Sequence, residues 1–314
     1  MIVTVTPNPA LDLTYTVEEL SLGTTHRVQG VSRRGGGKGA NVSSVLAALG
    51  EPTAAVLPCG GSTGDEVHED LEARGVDTVP VRIEGSTRQT LAVVGSDGTT
   101  TNFSEPGPVI SDDEWHALVG EIRQLARRAT AVVVSGSLPP GIEAAQLGQL
   151  VATAREHCGL VVVDASGPSL EAAAEAGAHL LAPNREELLS CCPGTDLVSA
   201  GRRLIEKGAT AVLVSLGAEG LLHITADEVH SQRAVEGIQG NTTGAGDAAL
   251  AAFVRSKSRG ANVPTSLNQA AAAGAAAVLD PLAGRITPRD FDRMLTRIHQ
   301  LDPTDPTDLS GDIR

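Results

Sequence analysis

The sequence predicts an α/β protein in which a mostly parallel central sheet lies between two layers of helices, with a small β-sheet lid beside it. Short runs of β-branched and apolar residues recur along the chain and are bounded by turn residues, which is typical of strands buried in a parallel sheet. Longer stretches rich in Ala, Leu and Glu separate these runs. Strands and helices that alternate in this way favour a three-layer α/β/α fold with right-handed crossovers.

Five apolar runs are predicted to be strands of the central sheet: Ile2–Thr6, Thr53–Leu57, Ala131–Ser135, Leu160–Asp164 and Ala211–Ser215. Longer helical patterns cover Ala40–Leu49, Asp112–Arg128, Ala144–His157, Leu197–Lys207, Ala245–Arg259 and Thr265–Leu279. A parallel α/β fold of this length often forms one large core, so residues 1–301 are predicted to be a single domain.

Two segments interrupt the alternation, at about residues 13–31 and 79–105. Both contain Thr-rich and turn-rich stretches without a helical pattern, and Asp97-Gly98 is a hairpin turn signal. We therefore expect these segments to form the small lid, inserted into the single domain. Residues 302–314 are rich in Pro and Asp and are expected to be a flexible tail.

The composition excludes several classes of function. With 24 Lys and Arg against 38 Asp and Glu, the chain has a formal net charge of -14 and no general attraction for nucleic acid or an anionic membrane. Aromatic residues make up 2% of the chain, too few for a base-stacking surface. The first residues lack the features of a secretory signal, and no apolar stretch reaches the ~20 residues of a membrane span, so we expect a cytoplasmic protein. The four cysteines include no C-x-x-C pair and indicate neither a zinc site nor a disulfide framework.

The segment Asn241–Asp247 carries the strongest chemical signal. A turn of Thr and Gly runs directly into an Ala-rich helix, which leaves backbone N–H groups unpaired at the positive end of the helix dipole and creates an anion site. Asp247 would repel a phosphate there unless it takes a proton from an attacking hydroxyl group. The alternative is that Asp247 only stabilises the N-terminus of the helix. A match to the dinucleotide fingerprint is weak, because no buried strand precedes it and no acid follows about 20 residues later.

A second glycine-rich segment, Gly35–Asn41, also opens a helix. It is not a Walker A loop, because Gly39 stands where Ser or Thr should follow the lysine. Its glycines predict a close approach of backbone and ligand, with Lys38 and Asn41 available to a hydroxylated or phosphorylated ligand. The alternative is a tight turn with a solvated lysine. Asp12 follows the first predicted strand, at the edge where parallel sheets bind ligands, and is placed to accept hydrogen bonds from sugar hydroxyls.

Eight short segments occur in the order of a known family: TPNPALD, GGKGAN, TRQ, PGP, SGSLPPG, APNREEL, VSLGAEG and TTGAGD. Together they resemble the PfkB carbohydrate kinase family, and most closely its 1-phosphofructokinases and tagatose-6-phosphate kinases. The resemblance extends to about Asp290. It implies a ribokinase-like fold whose lid covers the sugar, ATP and Mg²⁺ as cofactors, and a sugar phosphate as acceptor. It also implies a monomer, or a homodimer formed through the β-lid.

The resemblance also implies a role for individual residues. Asp247 is similar to the general base of the family, and the implied anion hole consists of the N–H groups of Gly244, Ala245 and Gly246. The residues implied in acceptor binding are Asp12, Gly37, Asn41 and Ser137, with Lys38 and Arg88 at the phosphate that the acceptor already carries. The residues implied at the nucleotide are Asn184, Ser215, Gly217, Gly220 and Thr243, with Glu187 at the Mg²⁺. Because aromatic residues are so scarce, we expect an adenine pocket lined by Ala, Val and Leu.

The expected reaction transfers the γ-phosphoryl group of ATP to fructose 1-phosphate. The alternative acceptors are tagatose 6-phosphate and fructose 6-phosphate. Lys38 favours fructose 1-phosphate or tagatose 6-phosphate, because the minor 6-phosphofructokinases that the chain also resembles often have Gly at this position. A protein of another class, a sensor that binds sugar phosphate or nucleotide without turnover, is disfavoured because the candidate base Asp247 is present.

Overall fold

A computed structural model describes residues 1–280, 282 and 284–300; the expected tail, residues 302–314, lies outside this range. Its strands are β1 (Ile2–Val5), β2 (Ala10–Thr16), β3 (Gly30–Gly36), β4 (Thr53–Cys59), β5 (Asp77–Arg82), β6 (Arg88–Val94), β7 (Thr100–Ser104), β8 (Ala131–Ser135), β9 (Val161–Asp164), β10 (Leu180–Leu181), β11 (Ala211–Ser215), β12 (Gly220–Ile224) and β13 (Val229–Arg233). Its helices are α1 (Lys38–Ala48), α2 (Gly61–Ala73), α3 (Asp112–Ala126), α4 (Ala144–Arg155), α5 (Pro168–Glu175), α6 (Arg185–Cys191), α7 (Leu197–Glu206), α8 (Ala245–Ser258), α9 (Val263–Val278) and α10 (Pro288–Ile298).

The central sheet has nine strands in the order β13-β12-β11-β10-β9-β8-β1-β4-β5. The strands from β11 to β5 pair in parallel, and β12 and β13 extend one edge of the sheet in antiparallel pairing. The five strands predicted from apolar runs all lie in this sheet. The prediction of a mostly parallel α/β sheet is therefore confirmed.

Strand residues alternate between two apolar layers, one on each face of the central sheet. Val3 and Val132 pack in the layer that contains α3, α4 and α7, whereas Ile2 and Val133 pack in the layer that contains α1, α8 and α9. Helices on both faces of one sheet make the three-layer architecture that the sequence predicts. Among the residues described, none of the helices has the length and apolar character needed to cross a bilayer.

The small sheet has four strands in the order β3-β2-β6-β7, with β2 and β6 parallel and the outer pairs antiparallel. A turn at Asp97-Gly98 joins β6 to β7, as predicted. The lid prediction is wrong for residues 79–82, because β5 pairs with β4 at the edge of the central sheet. Pro80 and a half-exposed pattern are typical of an edge strand, which is why this segment does not have the continuous apolar pattern of the buried strands.

Candidate active site

A cleft of about 460 Å³ lies between the carboxyl ends of the parallel strands and the small sheet. Twelve residues proposed from the sequence line it: Asp12, Gly37, Lys38, Asn41, Arg88, Asn184, Glu187, Ser215, Thr243, Gly244, Gly246 and Asp247. The other four, Ser137, Gly217, Gly220 and Ala245, line two further cavities that share wall residues with the cleft. The fold thus brings candidates from distant parts of the chain to one edge of the sheet, as expected for a parallel α/β protein.

Asp247 is a buried carboxyl group in the first turn of α8. Its Oδ2 accepts a hydrogen bond of 2.8 Å from Nδ2 of Asn41 in α1. Burial raises the pKa of Asp247 to about 7, helped by the negative charge of Asp164 and opposed by the Asn41 hydrogen bond and the Lys38 ammonium. A carboxyl group with a pKa near neutrality can both hold and release a proton, which suits it to general base chemistry.

The N-terminus of α8 presents backbone donors beside Asp247. Gly244 precedes the helix with a φ of +77°, a conformation that glycine adopts without steric cost. Within residues 1–280, 282 and 284–300, the N–H groups of Gly244 and Gly246 have no intramolecular acceptor. The N–H of Ala245, in contrast, donates to the carbonyl oxygen of Thr242 at 3.2 Å. Of the three donors predicted for the anion hole, the N–H of Ala245 is therefore the one that also serves the preceding turn.

Asp12 follows β1, as predicted, and extends into the cleft from β2 of the small sheet. Its Oδ1 accepts a hydrogen bond of 2.6 Å from Thr90 on the neighbouring strand β6. Burial raises the pKa of Asp12, although this hydrogen bond and the charges of Arg88 and Arg34 oppose the rise. A carboxylate fixed in this way can accept hydrogen bonds from the hydroxyl groups of a ligand in the cleft.

Lys38, the first residue of α1, lies between two carboxylates. Its Nζ is 2.9 Å from Oδ1 of Asp164 and 3.6 Å from Oε1 of Glu187. Burial alone would lower the pKa of Lys38, but the negative charges of Asp164, Glu187 and Asp247 outweigh it and the pKa is raised. Asp164 in turn accepts a hydrogen bond of 2.8 Å from Oγ of Ser135. The lysine is thus charged and paired with carboxylates in this structure, although its side chain remains partly exposed. The alternative of a solvated lysine without a partner in a tight turn does not hold.

A smaller cavity of about 220 Å³ opens beside Lys38. Ser137, Ser166, Lys38 and Arg88 line its wall, so hydroxyl groups and cations converge on it beside the carboxylate of Glu187. The Arg88 guanidinium donates hydrogen bonds to backbone carbonyl oxygens at 3.0 and 3.3 Å, which hold it at the cavity. Cations and hydroxyl groups in one small cavity match the donors that bind a phosphate group.

A third cavity, of about 330 Å³, lies on the other side of the N-terminus of α8. Gly217 and Gly220 line it, and its aliphatic wall is formed by Ala218, Leu221, Ala234, Val235, Ile238, Ala249, Ala270, Ala271, Ala275 and Val278. An aliphatic cavity joined to a polar cleft is the usual form of a site for a small cofactor.

Asn184 and Glu187 have a structural role as well as a place in the cleft. The Glu187 N–H donates to Asn184 Oδ1 and the Asn184 N–H donates to Glu187 Oε2, both at 2.8 Å, which makes a capping box at the start of α6. The second carboxylate oxygen, Oε1, faces Lys38 in the cleft. In the described part of the chain, no cluster of three or more His, Cys, Asp or Glu side chains could hold a metal ion. Oxygen donors of this kind fit Mg²⁺ carried by a nucleotide, since Mg²⁺ is usually bound by one or two carboxylates, water and substrate phosphates.

The sequence was compared with those of known protein families. The sequence pattern of the pfkB family carbohydrate kinases matches residues 6–289. The chain belongs to this family. Its members transfer a phosphoryl group to a sugar hydroxyl, so the predictions of a carbohydrate kinase and of a ribokinase-like fold are confirmed.

Three pfkB relatives show how wide the family resemblance is. The chain is 36% identical to a 1-phosphofructokinase of Haloferax volcanii, over 83% of this chain and 85% of the relative. It is 33% identical to an ATP-dependent 6-phosphofructokinase isozyme 2 of Mycobacterium tuberculosis, over 93% and 88% of the two chains. The crystal structure of phosphofructokinase-2 from Escherichia coli in complex with potassium superposes with a TM-score of 0.89 at 28% identity, covering 95% of this chain and 99% of that one.

The sequence did not reveal Asp164 as part of this pfkB cleft. Asp164 ends a buried run of valines. A charged residue at the carboxyl end of a central strand is a signal in the sequence that could have placed it in the cleft. The sequence also did not reveal that Asn41 would contact Asp247, because the two residues lie on different helices, 206 positions apart.

Proposed function

We propose that the protein is an ATP-dependent kinase of a ketohexose phosphate, and that fructose 1-phosphate is its acceptor. One observation carries the proposal: a buried carboxyl group, Asp247, lies at the start of α8 beside the N–H groups of Gly244 and Gly246, which have no acceptor among the described residues. A base and anion donors at one point are what the transfer of a phosphoryl group to a hydroxyl requires.

In the proposed reaction, Asp247 takes the proton of the attacking hydroxyl group. The hydroxyl oxygen forms a bond to the γ-phosphorus of ATP, and the bond from that phosphorus to the bridging oxygen breaks, which releases ADP. The N–H groups of Gly244 and Gly246 stabilise the negative charge on the transferred group. The Asn41 amide, which donates to Oδ2 of Asp247 at 2.8 Å, leaves the other carboxylate oxygen to meet the acceptor.

The acceptor is proposed to lie between Asp12 and the small cavity beside Lys38. Asp12 would accept hydrogen bonds from its hydroxyl groups, while Arg88, Ser137 and Lys38 would bind the phosphate that it already carries. Both cations line the cleft and the small cavity, which supports this placement. The presence of Lys38 favours fructose 1-phosphate or tagatose 6-phosphate over fructose 6-phosphate. Of the first two, the resemblance to a 1-phosphofructokinase supports fructose 1-phosphate.

The nucleotide is proposed to lie along α8, with its base in the aliphatic cavity and its phosphates at Asn184, Ser215 and Thr243. Glu187 would hold the Mg²⁺ that accompanies the phosphates, through the carboxylate oxygen that faces the cleft. Bound Mg²⁺ supplies positive charge to the phosphate oxygens during transfer. Gly217 and Gly220 line the same aliphatic cavity and would lie beside the base.

A panel of acceptors tests the proposal. Initial rates of ADP formation are measured with fructose 1-phosphate, tagatose 6-phosphate and fructose 6-phosphate, with Asp247→Ala as the background control. We expect the kcat/KM for fructose 1-phosphate to exceed the others by about ten-fold or more. A higher value for either 6-phosphate would make that sugar the acceptor instead. If the protein binds the three sugar phosphates without forming ADP, it is a sensor rather than a kinase.

A further inference from the structure

Lys38 is a wall residue of both the cleft that contains Asp247 and the small cavity that contains Ser137. Its ammonium group is nevertheless directed at Asp164 and Glu187, at 2.9 and 3.6 Å. Two carboxylates therefore share this positive charge. A phosphate group bound at Arg88 and Ser137 would have to compete with both of them for it.

The two carboxylates are themselves held in place. The Asp164 side chain is 8% exposed and accepts the Ser135 hydroxyl at 2.8 Å, and its backbone oxygen accepts the Gly136 N–H at 3.0 Å. Glu187 uses its other oxygen, Oε2, in the capping box of α6. Neither carboxylate can follow the ammonium without losing these hydrogen bonds. Lys38 is the mobile partner, since its side chain is flexible and 43% exposed.

We propose that Asp164 and Glu187 form a latch that holds Lys38 away from the acceptor phosphate until the metal–nucleotide complex engages Glu187. The inference rests on the proposed function, because it needs Glu187 on the nucleotide side and Lys38 on the acceptor side. Once Glu187 is engaged, Lys38 keeps only the Asp164 partner at 2.9 Å, and the part of its charge that Glu187 balanced becomes available to the acceptor. Acceptor and nucleotide then strengthen the binding of each other by the same factor.

The first measurement is the dissociation constant of fructose 1-phosphate for the full-length wild-type protein by isothermal titration calorimetry. One titration contains EDTA and no nucleotide, and the other contains Mg²⁺ and a saturating non-hydrolysable ATP analogue. We expect binding to be about ten-fold tighter with the metal and nucleotide. Equal affinity in the two titrations would overturn the latch.

The substitution Asp164→Asn tests whether Lys38 carries the effect. Asparagine keeps the shape of the side chain and an oxygen for the Ser135 hydroxyl, but it removes the charge that holds the ammonium. Binding without nucleotide should then tighten about three-fold or more, and the ratio between the two titrations should fall toward one. The matched control is Asp65→Asn, which removes an exposed ion pair with Arg82 outside the cleft and should leave the ratio unchanged.

A double-mutant cycle separates the latch from a general effect of charge on an anionic ligand. In the Lys38→Met background, Asp164→Asn should no longer change the affinity for fructose 1-phosphate. If Asp164→Asn raises the affinity equally in both backgrounds, Asp164 acts only by repelling the anionic ligand, and the latch would be rejected. If circular dichroism shows that Asp164→Asn does not fold, Glu187→Gln replaces it in the titrations without nucleotide, with the same expectation.

The proposed function and the latch fail in different ways. A wild-type protein that neither binds nor phosphorylates any of the three sugar phosphates would overturn both. An active enzyme whose affinity for the acceptor is unaffected by metal and nucleotide would leave the proposed function standing and remove only the latch.

Discussion

Asp247 shows at the scale of one residue how catalysis and stability can oppose each other. The carboxyl group is buried in the first turn of α8, beside the acidic group of Asp164, and both features disfavour its ionised form. In an unfolded chain the same group would ionise near its ordinary pKa of 3.8. The folded protein therefore binds the Asp247 proton more tightly than the unfolded chain does. As a result, this residue destabilises the fold as the pH rises from about 4 to about 7.

Replacing Asp247 with Asn should therefore lower activity and raise stability together. We expect kcat to fall by ~10² or more, since general base catalysis is usually worth this much. The free energy of unfolding, measured in urea, should rise by roughly 1–3 kcal/mol at pH 8 and by less at pH 5, where the wild-type carboxyl group is already protonated. The substitution Asp292→Asn, an exposed position on α10, is the control and should change neither quantity. An Asp247→Asn enzyme that keeps most of its activity would show that the base has been misassigned.

The packing of strand β3 explains why two positions of the glycine-rich segment, Gly35 and Gly36, are glycine. The sequence suggests that its glycines clear space for a ligand. A Cβ on Gly36 would instead overlap the carboxylate of Asp12, and a Cβ on Gly35 would crowd the backbone of Val67 in α2. These glycines allow the small sheet to lie close to α2 and leave room for Asp12 in the cleft. Their effect on a ligand is indirect, through the position of the Asp12 carboxylate.

The substitution Gly36→Ala tests the role of this strand. The added methyl group should displace the Asp12 carboxylate, because the two would occupy the same space. We expect kcat/KM for the sugar phosphate to fall about 10- to 100-fold, while the KM for ATP changes little. The matched control is Gly120→Ala on α3, where a Cβ would meet no other atom within 4 Å, and it should leave both constants unchanged. An equal rise in both KM values would indicate a general loss of structure.

Across the whole molecule, the sequence predicts those strands and cleft residues that belong to a recognisable run or motif of neighbouring residues. Buried apolar runs predict most of the inner strands of the central sheet. The edge strand β5 could not be predicted in this way, because it contains Pro80 and is half exposed. Strand β10 could not be predicted either, because it is two residues long. The positions of the candidate residues in the cleft followed from ordered motifs. Contacts that depend on packing did not follow, because nothing in the local sequence pairs Lys38 with Asp164 or Asn41 with Asp247.

The resemblance to the family implies a monomer or a homodimer formed through the β-lid. Of these two, we propose the homodimer, formed through the small sheet. Val31 on β3 and Phe103 on β7 are 60% and 55% exposed, and both belong to the outer strands of that sheet. Apolar side chains on unpaired strand edges are the usual sites of association between chains. A sheet shared by two copies would cover these side chains and would tie the position of Asp12 in each cleft to the partner.

Sedimentation velocity tests the dimer with two matched substitutions. Val31→Lys places a charge on the small sheet, and Val109→Lys places the same charge on a residue that is 72% exposed but lies outside that sheet. We expect the wild-type protein and Val109→Lys to sediment with twice the mass of the chain. Val31→Lys should sediment as a monomer, because a buried and unpaired lysine makes the interface unfavourable. A dimer that survives Val31→Lys would place the interface elsewhere, and a wild-type monomer at micromolar concentration would mean that the small sheet acts only within one chain.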